Sequence, residues 1–174
     1  MSTFIVKGPF EVPVKIQKTG AKTIDKEELD KLASRCPTFG EIGCYVFSLK
    51  AAKGSKPLYV GKTEKQTISN EAFGWRNKNL VNEALNDQKR GKLQIWTVTQ
   101  HNARGPKNKS AIGEIEKVIT SWAIEKNPNL LNSHNTKKGD SWSIKGVQSS
   151  SRGIRPQEAI AFRKMMGLHI RKEN

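Results

Sequence analysis

Cysteine, acidic residues and long apolar runs are all scarce in this sequence of 174 residues. Its two cysteines, Cys36 and Cys44, form no CxxC pair and have no pair of histidines close by. A disulfide framework and a zinc site are therefore not indicated, and a reducing, cytoplasmic compartment is favoured. No segment approaches the roughly 18 apolar residues of a membrane span, and the first residues lack the apolar stretch of a signal peptide. We therefore expect a soluble, unprocessed chain without a membrane partner.

The shortage of acidic residues leaves the chain strongly basic. Lysine and arginine together number 31, against 16 aspartates and glutamates, which gives a formal net charge of +15. The basic residues are spread from Lys7 to Lys172 rather than gathered in one tail. Such a charge indicates a polyanionic partner, with nucleic acid as the natural one, but it says nothing about catalysis.

Two short runs rich in tyrosine, valine and phenylalanine, residues 43–49 and 58–61, are separated by a segment of lysine, glycine and proline. This pattern predicts a β-hairpin. Because side chains alternate along a strand, Tyr45 lies on one face of the first strand and Tyr59 on one face of the second. If these faces coincide, the two phenols meet, and the glycines nearby leave room for a close backbone or a ligand.

The tripeptides GCY, ending at Tyr45, and YVG, beginning at Tyr59, resemble the two signatures of the GIY-YIG nuclease superfamily, in the right order. The resemblance covers residues 39–135. It implies an α+β core with a small, three-stranded, mainly antiparallel sheet flanked by helices. Residues 1–38 are then an N-terminal extension, and residues 136–174 are a basic C-terminal segment with a helix. DNA, duplex or branched, is the implied partner.

The segment after the hairpin, residues 70–89, has the composition of a helix capped by Ser69. Phe73 lies three residues before Arg76, and Leu80 lies four after it, so the helical period places all three on one face. That face is expected to turn toward the sheet. An arginine that extends along the edge of the core is one reading. The resemblance implies another, because the family carries its arginine on the helix after the hairpin.

Leu80 departs from the resemblance, since many family members have a histidine or a tyrosine one turn after the arginine. The sequence leaves open which residue takes over the role of that histidine or tyrosine, at the phosphate or in proton transfer. The candidates are Tyr59, Lys62 and His101, in that order.

Residues 93–99 alternate well enough to predict a third strand. The segment that follows, residues 101–109, is polar, basic and rich in turn residues, and it predicts an exposed loop. Such a loop can contact phosphate groups. The expected DNA contacts are Lys62, Arg104, Lys107 and Lys109.

Ser110 is expected to cap a helix over residues 111–125. Glu116 belongs to its apolar stripe, and a carboxylate there needs a cation as its partner. That partner is either Arg76, in a structural ion pair, or a divalent metal. In the family a single glutamate on this helix binds the metal. The resemblance assigns this role to Glu116, with Glu114 as the alternative in register.

Around this core the sequence predicts two short N-terminal edge strands, residues 4–6 and 12–16, and a helix that begins at Asp25. A last helix is expected to end at Gly167. The asparagine-rich segment that closes the core resembles the family's ending, where an asparagine closes the site. The resemblance assigns that role to Asn132, and plain turn chemistry is the alternative.

Together these features predict a divalent-metal-dependent DNA endonuclease. Tyr45, assisted by Tyr59 and Lys62, would orient or deprotonate the attacking water. Arg76 would hold the phosphate with its planar donor fork, and Glu116 would bind one Mg²⁺ or Mn²⁺. The expected catalytic residues are Tyr45, Tyr59, Lys62, Arg76, Glu116 and Asn132. The alternative is a non-catalytic, basic nucleic-acid-binding module on the same fold.

Overall fold

The computed structural model of the chain describes residues 2–52, 54–88, 90–101, 106–132, 142–147 and 156–168. Its strands are β1 (Ser2–Glu11), β2 (Val14–Ile16), β3 (Lys22–Ile24), β4 (Gly43–Ala51), β5 (Gly54–Thr63), β6 (Lys92–Gln100) and β7 (Trp142–Ile144). Its helices are α1 (Lys26–Arg35), α2 (Ile68–Ala72), α3 (Trp75–Asn86), α4 (Lys109–Lys126) and α5 (Gln157–Met165), with a 3₁₀ helix at Pro37–Gly40. In this part of the chain, no helix has the length and apolar character needed to cross a membrane.

Five of the strands form one mixed sheet, in the order β5-β4-β6-β1-β7, and β2 pairs with β3 in a separate two-stranded sheet. In the large sheet β1 and β7 run parallel, and the other neighbours run antiparallel. The α+β class is confirmed, but the prediction of a small three-stranded sheet is wrong. The three predicted strands supply β4, β5 and β6. The segments expected to be extensions, residues 1–38 and 136–174, supply β1 and β7.

The first strand, β1, is the main reason why the sheet is larger than predicted. Gly8 and Pro9 interrupt its apolar pattern, so the sequence suggested a short edge strand. In the structure Phe4 is fully buried, and β1 is paired on both sides, with β6 and with β7. Pairing between Phe4 and Gln100 joins distant parts of the chain, and local periodicity carries no information about such a partner.

The large sheet has a hydrophobic core on each face. Helices α4 and α5 cover one face, where Cys44 and Trp96 are buried. Helices α1, α2 and α3 and the 3₁₀ helix cover the other face, where Tyr45 and Phe47 are buried. Because its side chains alternate between two cores, β4 is buried at every position from 43 to 49.

The helix after the hairpin is broken, which the sequence did not predict. Two helices, α2 and α3, replace the single helix expected over residues 70–89, and Gly74 lies between them. The side chain of Thr67 caps α2, so the prediction that Ser69 is the cap is wrong. The break changes the helical phase, and it removes the common face on which Arg76 was expected to lie.

The other helices lie close to their predicted positions. Helix α1 begins directly after its predicted cap, Asp25, whose side chain accepts a hydrogen bond from the N–H of Glu27. Helix α4 starts two residues earlier than predicted. Its cap is Asn108 and not Ser110, because Oδ1 of Asn108 accepts from the N–H of Ala111 at 3.0 Å.

The two candidate caps of α4 predict different effects on stability. We expect Asn108→Ala to lower the free energy of unfolding by about 1 kcal/mol, because the first turn loses its side-chain acceptor. Ser110→Ala is the matched control, since its side chain is exposed within the helix, and it should change stability by much less. Urea unfolding of both variants measures the difference. An equal or larger loss in Ser110→Ala would contradict this assignment of the cap.

Candidate functional site

Tyr45 and the glycine directly opposite it form the centre of the hairpin. Tyr45 on β4 pairs with Gly61 on β5 and is 1% exposed. A Cβ atom added at Gly61 would lie 2.4 Å from Cζ of the Tyr45 ring, which is closer than side chains pack. Gly43 makes similar room for the backbone carbonyl of Val98 on β6. The glycines permit close approach, as predicted, but their neighbours are a protein side chain and a backbone.

A buried asparagine, Asn77 of α3, joins the two tyrosines. Its Nδ2 donates to the Tyr45 hydroxyl at 2.9 Å, and its Oδ1 accepts from the Tyr59 hydroxyl at 3.2 Å. Nδ2 also donates to the backbone carbonyl of Glu71 at 2.8 Å, which fixes the amide plane. The two rings stack with their centroids 6.1 Å apart. The tyrosine faces of the two strands therefore coincide, and the phenols face the same place.

Asn77 is a site residue that sequence reasoning missed. At the helical period Asn77 shares the face of Phe73 and Leu80, four residues after the first and three before the second, but no role was predicted for it. Asn77 turns inward from α3 and is 7% exposed. Its spacing from Phe73 and Leu80 was the signal that could have revealed this, since a polar residue on an apolar face needs a hydrogen-bond partner.

Burial raises the pKa of both tyrosine hydroxyls above the usual tyrosine value. For Tyr45, the neighbouring Tyr59 and the carboxylates of Glu71 and Glu116 raise the pKa further. For Tyr59 the two carboxylates also raise the pKa, whereas hydrogen bonding to Tyr45 and the charge of Arg76 lower it. Both phenols are therefore neutral at neutral pH. Deprotonation of a water by Tyr45 would need a lowered pKa, which is the opposite direction.

Arg76 and its neighbour Trp75 are exposed at the start of α3. Arg76 is the second residue of α3 and is exposed rather than turned toward the sheet, so its predicted orientation is wrong. Among the described residues its guanidinium makes no side-chain hydrogen bond or ion pair, although its charge reaches the Tyr59 hydroxyl. Trp75 is 78% exposed. The start of α3 therefore presents a cation and a flat aromatic ring to solvent.

Lys62 lies on the face of β5 that is covered by α4. Its Nζ donates to Oε1 of Glu64 at 2.7 Å and lies 3.7 Å from Oε2 of Glu116. Gly113 of α4 makes room for it, since a Cβ atom there would lie 3.1 Å from the Lys62 Nζ. The ammonium group is thus placed between two carboxylates. Of the two alternatives in register, Glu116 rather than Glu114 makes this ion pair.

Glu116 is half-buried, with 22% of its side chain exposed. Burial raises the pKa of its carboxyl, the Lys62 ammonium lowers it, and the Glu64 carboxylate raises it. Its ion-pair partner is Lys62, so the structural pair with Arg76, one of the two alternatives that the sequence left open, is not formed. Its charge also reaches the hydroxyls of both tyrosines. The tyrosines and the Lys62–Glu116 pair therefore influence each other electrostatically, although they lie on opposite faces of the edge strand β5.

Asn132 covers the free edge of β5. Its Oδ1 accepts from the N–H of Val60 at 3.0 Å, and its Nδ2 donates to the Val60 carbonyl. The preceding residue and the Asn127 side chain donate to the carbonyls of Leu58 and Pro57, at 2.9 and 2.7 Å. These bonds replace a strand partner and protect the edge from pairing with another chain. The contacts of Asn132 are thus structural.

The four predicted DNA contacts have different surroundings. The Nζ atom of Lys107 lies 2.9 Å from Oε2 of Glu41 in a partly buried ion pair, and Lys62 is engaged by its two carboxylates. Lys109 is exposed at the first position of α4. Arg104 lies outside the described residues. Among the predicted DNA contacts that the structure describes, Lys109 is the one with an exposed side chain and no carboxylate partner.

Glu116 is the residue that could hold a metal ion. No group of three or more histidine, cysteine, aspartate or glutamate side chains converges among the described residues, so this part of the chain offers no cage of protein ligands. A single partly exposed carboxylate fits one Mg²⁺, which keeps most of its coordination positions for water and phosphate oxygens. Lys62 already balances part of the charge of Glu116.

Comparison of the chain with family models, with curated proteins and with solved structures gave no match.

The contact between Gly61 and Tyr45 predicts a stability effect. We expect Gly61→Ala to lower the free energy of unfolding by about 1–3 kcal/mol, because the new methyl group meets the ring of Tyr45. Gly40→Ala is the matched control, since no atom lies within 4 Å of a Cβ at that position. In a Tyr45→Leu background the Gly61→Ala change should lower the free energy of unfolding by less, because leucine lacks the distal ring atoms that the methyl group would meet. Equal losses in both backgrounds would contradict the steric explanation.

The raised pKa values predict a pH effect that absorbance can follow, because the chain has two tyrosines and both belong to this cluster. The unfolded chain releases its phenol protons near the ordinary value of about pH 10, before the folded chain does. The stability contributed by the neutral phenols is therefore complete below about pH 10 and is lost as the pH rises further. We expect near-ultraviolet tyrosinate absorbance to appear at higher pH in the native protein than in denaturant. Coincident titration curves would contradict this, and Tyr59→Phe isolates the contribution of Tyr45.

Proposed function

We propose that this chain is a divalent-metal-dependent endonuclease of the GIY-YIG type, acting on DNA through Tyr59, Arg76 and Glu116. The observation that carries the proposal is that residues of two helices, α3 and α4, act on one tyrosine hydroxyl of β5. Tyr59 of β5 is bonded to Asn77 of α3, and the charges of Arg76 and Glu116, from α3 and α4, both reach it. A chain with a net charge of +15 would be attracted to the polyanionic substrate of such a site.

The two tyrosines would have different roles. Tyr45 is 1% exposed, so it acts as a positioning residue that holds Asn77 and the Tyr59 ring. Tyr59 is half-buried, and its proton is donated to Oδ1 of Asn77, which leaves the phenol oxygen as an acceptor. A water that donates a hydrogen bond to that oxygen would be oriented for attack on phosphorus. Because the pKa of Tyr59 is raised by burial, orientation is a better-supported role than deprotonation.

The exposed start of α3 would bind the substrate. The Arg76 guanidinium is a planar donor fork that matches two non-bridging oxygens of a phosphate. Trp75, which is 78% exposed, offers a flat ring on which a nucleic-acid base can stack. Both side chains come from adjacent positions, so one strand of nucleic acid could contact them together.

Glu116 would hold one Mg²⁺ through its carboxylate, and Lys62 would keep that carboxylate in place. When bound, such an ion neutralises negative charge on the phosphate. The Lys62 ammonium lies between Glu64 and Glu116. We therefore assign Lys62 the role of positioning the Glu116 carboxylate rather than that of contacting DNA.

A non-catalytic nucleic-acid-binding module is the second candidate, and two observations favour it. Tyr45 is buried too deeply to touch a substrate, and the charge of Glu116 is already partly balanced by Lys62. Both observations are compatible with a fold that kept the tyrosine hairpin for stability alone. The exposed Arg76 and Trp75 would then serve binding without cleavage.

Cleavage of supercoiled DNA by the purified protein, with and without Mg²⁺, tests the proposal. We expect Mg²⁺-dependent nicking that Glu116→Gln abolishes. Arg76→Lys should slow nicking by about a hundredfold or more, because it keeps the charge but loses the donor fork. Glu114→Gln and Arg35→Lys are the matched controls, and both should cut at the rate of the unchanged protein.

DNA affinity, measured on the same proteins, separates the two candidate functions. The endonuclease proposal requires that Glu116→Gln still binds DNA while it fails to cut. Binding of DNA by the unchanged protein, with no nicking at any Mg²⁺ concentration, would overturn the proposal in favour of the binding module. Loss of nicking in Glu114→Gln, with full activity in Glu116→Gln, would show that the metal ligand is misassigned.

A further inference from the structure

A basic pocket lies at the far end of the hairpin, away from the tyrosines. It has a volume of about 350 Å³ and lies between the sheet and the C-terminal ends of α4 and α5. Along β4 the pocket residue Lys50 is five positions from Tyr45, which corresponds to about 17 Å at the rise of a strand. The pocket is therefore distinct from the candidate active site. Its polar lining includes Lys50, Gln94, Lys126 and Lys164.

The three lysines give the pocket an uncompensated positive charge. Lys50, Lys126 and Lys164 are exposed, no carboxylate lines the pocket, and no ion pair to these lysines is formed within the described residues. The stem of Lys126 passes close to Gly167, where an added Cβ atom would lie 3.0 Å from the Lys126 Cδ. The stem of this lysine thus packs closely at the end of α5. An ammonium group on a packed stem loses less freedom when it binds an anion.

The amide of a largely buried side chain also lines the pocket. Gln94 of β6 is 6% exposed, and its side chain makes no hydrogen bond among the described residues. It lies on the same face of the sheet as Trp96, whose Nε1 is satisfied by Ser48 at 2.9 Å. Its amide nitrogen and oxygen are not among the fully buried atoms that lack a partner, so the exposed part of Gln94 is the amide itself, which can bond to water or to a ligand in the pocket.

Ordinary helix chemistry explains only part of this arrangement. Lysines in the last turn of a helix are stabilised by the helix dipole, which accounts for Lys126 in α4 and Lys164 in α5. It does not account for Lys50, which comes from a strand, or for the unbonded amide of Gln94. An anion with several acceptor oxygens would satisfy all four side chains at once.

We propose that this pocket binds a phosphate group, held by Lys50, Lys126, Lys164 and Gln94. Its volume admits a phosphate with part of a nucleotide. The phosphate comes either from a free nucleotide or from the backbone of a nucleic acid. In the second case the pocket extends nucleic-acid binding to the side of the protein away from Tyr59.

Nuclear magnetic resonance of the full chain tests this site, with the side-chain amide signal of Gln94 as the readout. Inorganic phosphate, a 5′-mononucleotide and a short oligonucleotide are titrated separately. We expect phosphate to shift the Gln94 signal, and Lys126→Gln with Lys164→Gln to weaken its binding by about tenfold or more. The control carries the same loss of charge at the exposed residues Lys18 and Lys26.

The comparison of ligands identifies the source of the phosphate. Tighter binding of the mononucleotide than of phosphate supports a nucleotide site, and tighter binding of the oligonucleotide supports a backbone contact. A Gln94 signal that none of the three ligands moves would overturn the proposal. So would equal weakening in the pocket variant and the control, since that means a general charge effect. The readout needs no cleavage, so its result is independent of the endonuclease proposal.

Discussion

The contact between the Tyr45 ring and Gly61 is the constraint on which the candidate site depends. The ring lies across the Cα of the glycine, with no space for a methyl group between them. This packing fixes the Tyr45 hydroxyl, which receives a hydrogen bond from Asn77, and the same amide accepts from Tyr59. The position of the more accessible tyrosine is therefore set through a buried residue that cannot itself reach a substrate.

The edge strand β5 separates the two chemical halves of the site. Its tyrosine faces α3, where it bonds to Asn77 and feels the charge of Arg76, and Lys62 faces α4, where its ammonium group lies between Glu64 and Glu116. The unpaired backbone groups of an edge strand invite pairing with other chains. Asn132 and the residues before it bond to the backbone of residues 57, 58 and 60, which closes this part of the edge to another strand.

The large positive charge of the chain is not all directed at a partner. Lys62 and Lys107 are engaged by carboxylates of their own chain, and ion pairs of this kind fix side chains more than they attract ligands. Other cations have no such partner within the described residues, notably Arg76 at the start of α3 and the lysines around Gln94. The surroundings of each cation, rather than the net charge, therefore indicate where an anion would bind.

The local sequence was sufficient for the hairpin, for the start of α1 at Asp25 and for the strand that became β6. Each of these depends on neighbouring residues, such as the aromatic and β-branched runs of a strand or the side-chain acceptor of a helix cap. The meeting of Tyr45 and Tyr59 followed from the sequence only on the condition that the two strand faces coincide, and the register of β4 with β5, which includes an irregularity after Phe47, decided this.

Only the tertiary structure decided the rest. The places of β1 and β7 in the sheet depend on partners far away in the chain, and local periodicity does not identify such partners. The break at Gly74 moved Arg76 to the surface, since a change of phase by one residue turns a helical side chain by about 100°. The partner of Glu116 was likewise undetermined. The sequence placed a carboxylate on an apolar stripe, but only the packing of β5 on α4 made Lys62 its partner. Gly113 allows this contact, because it has no side chain to keep the ammonium group away.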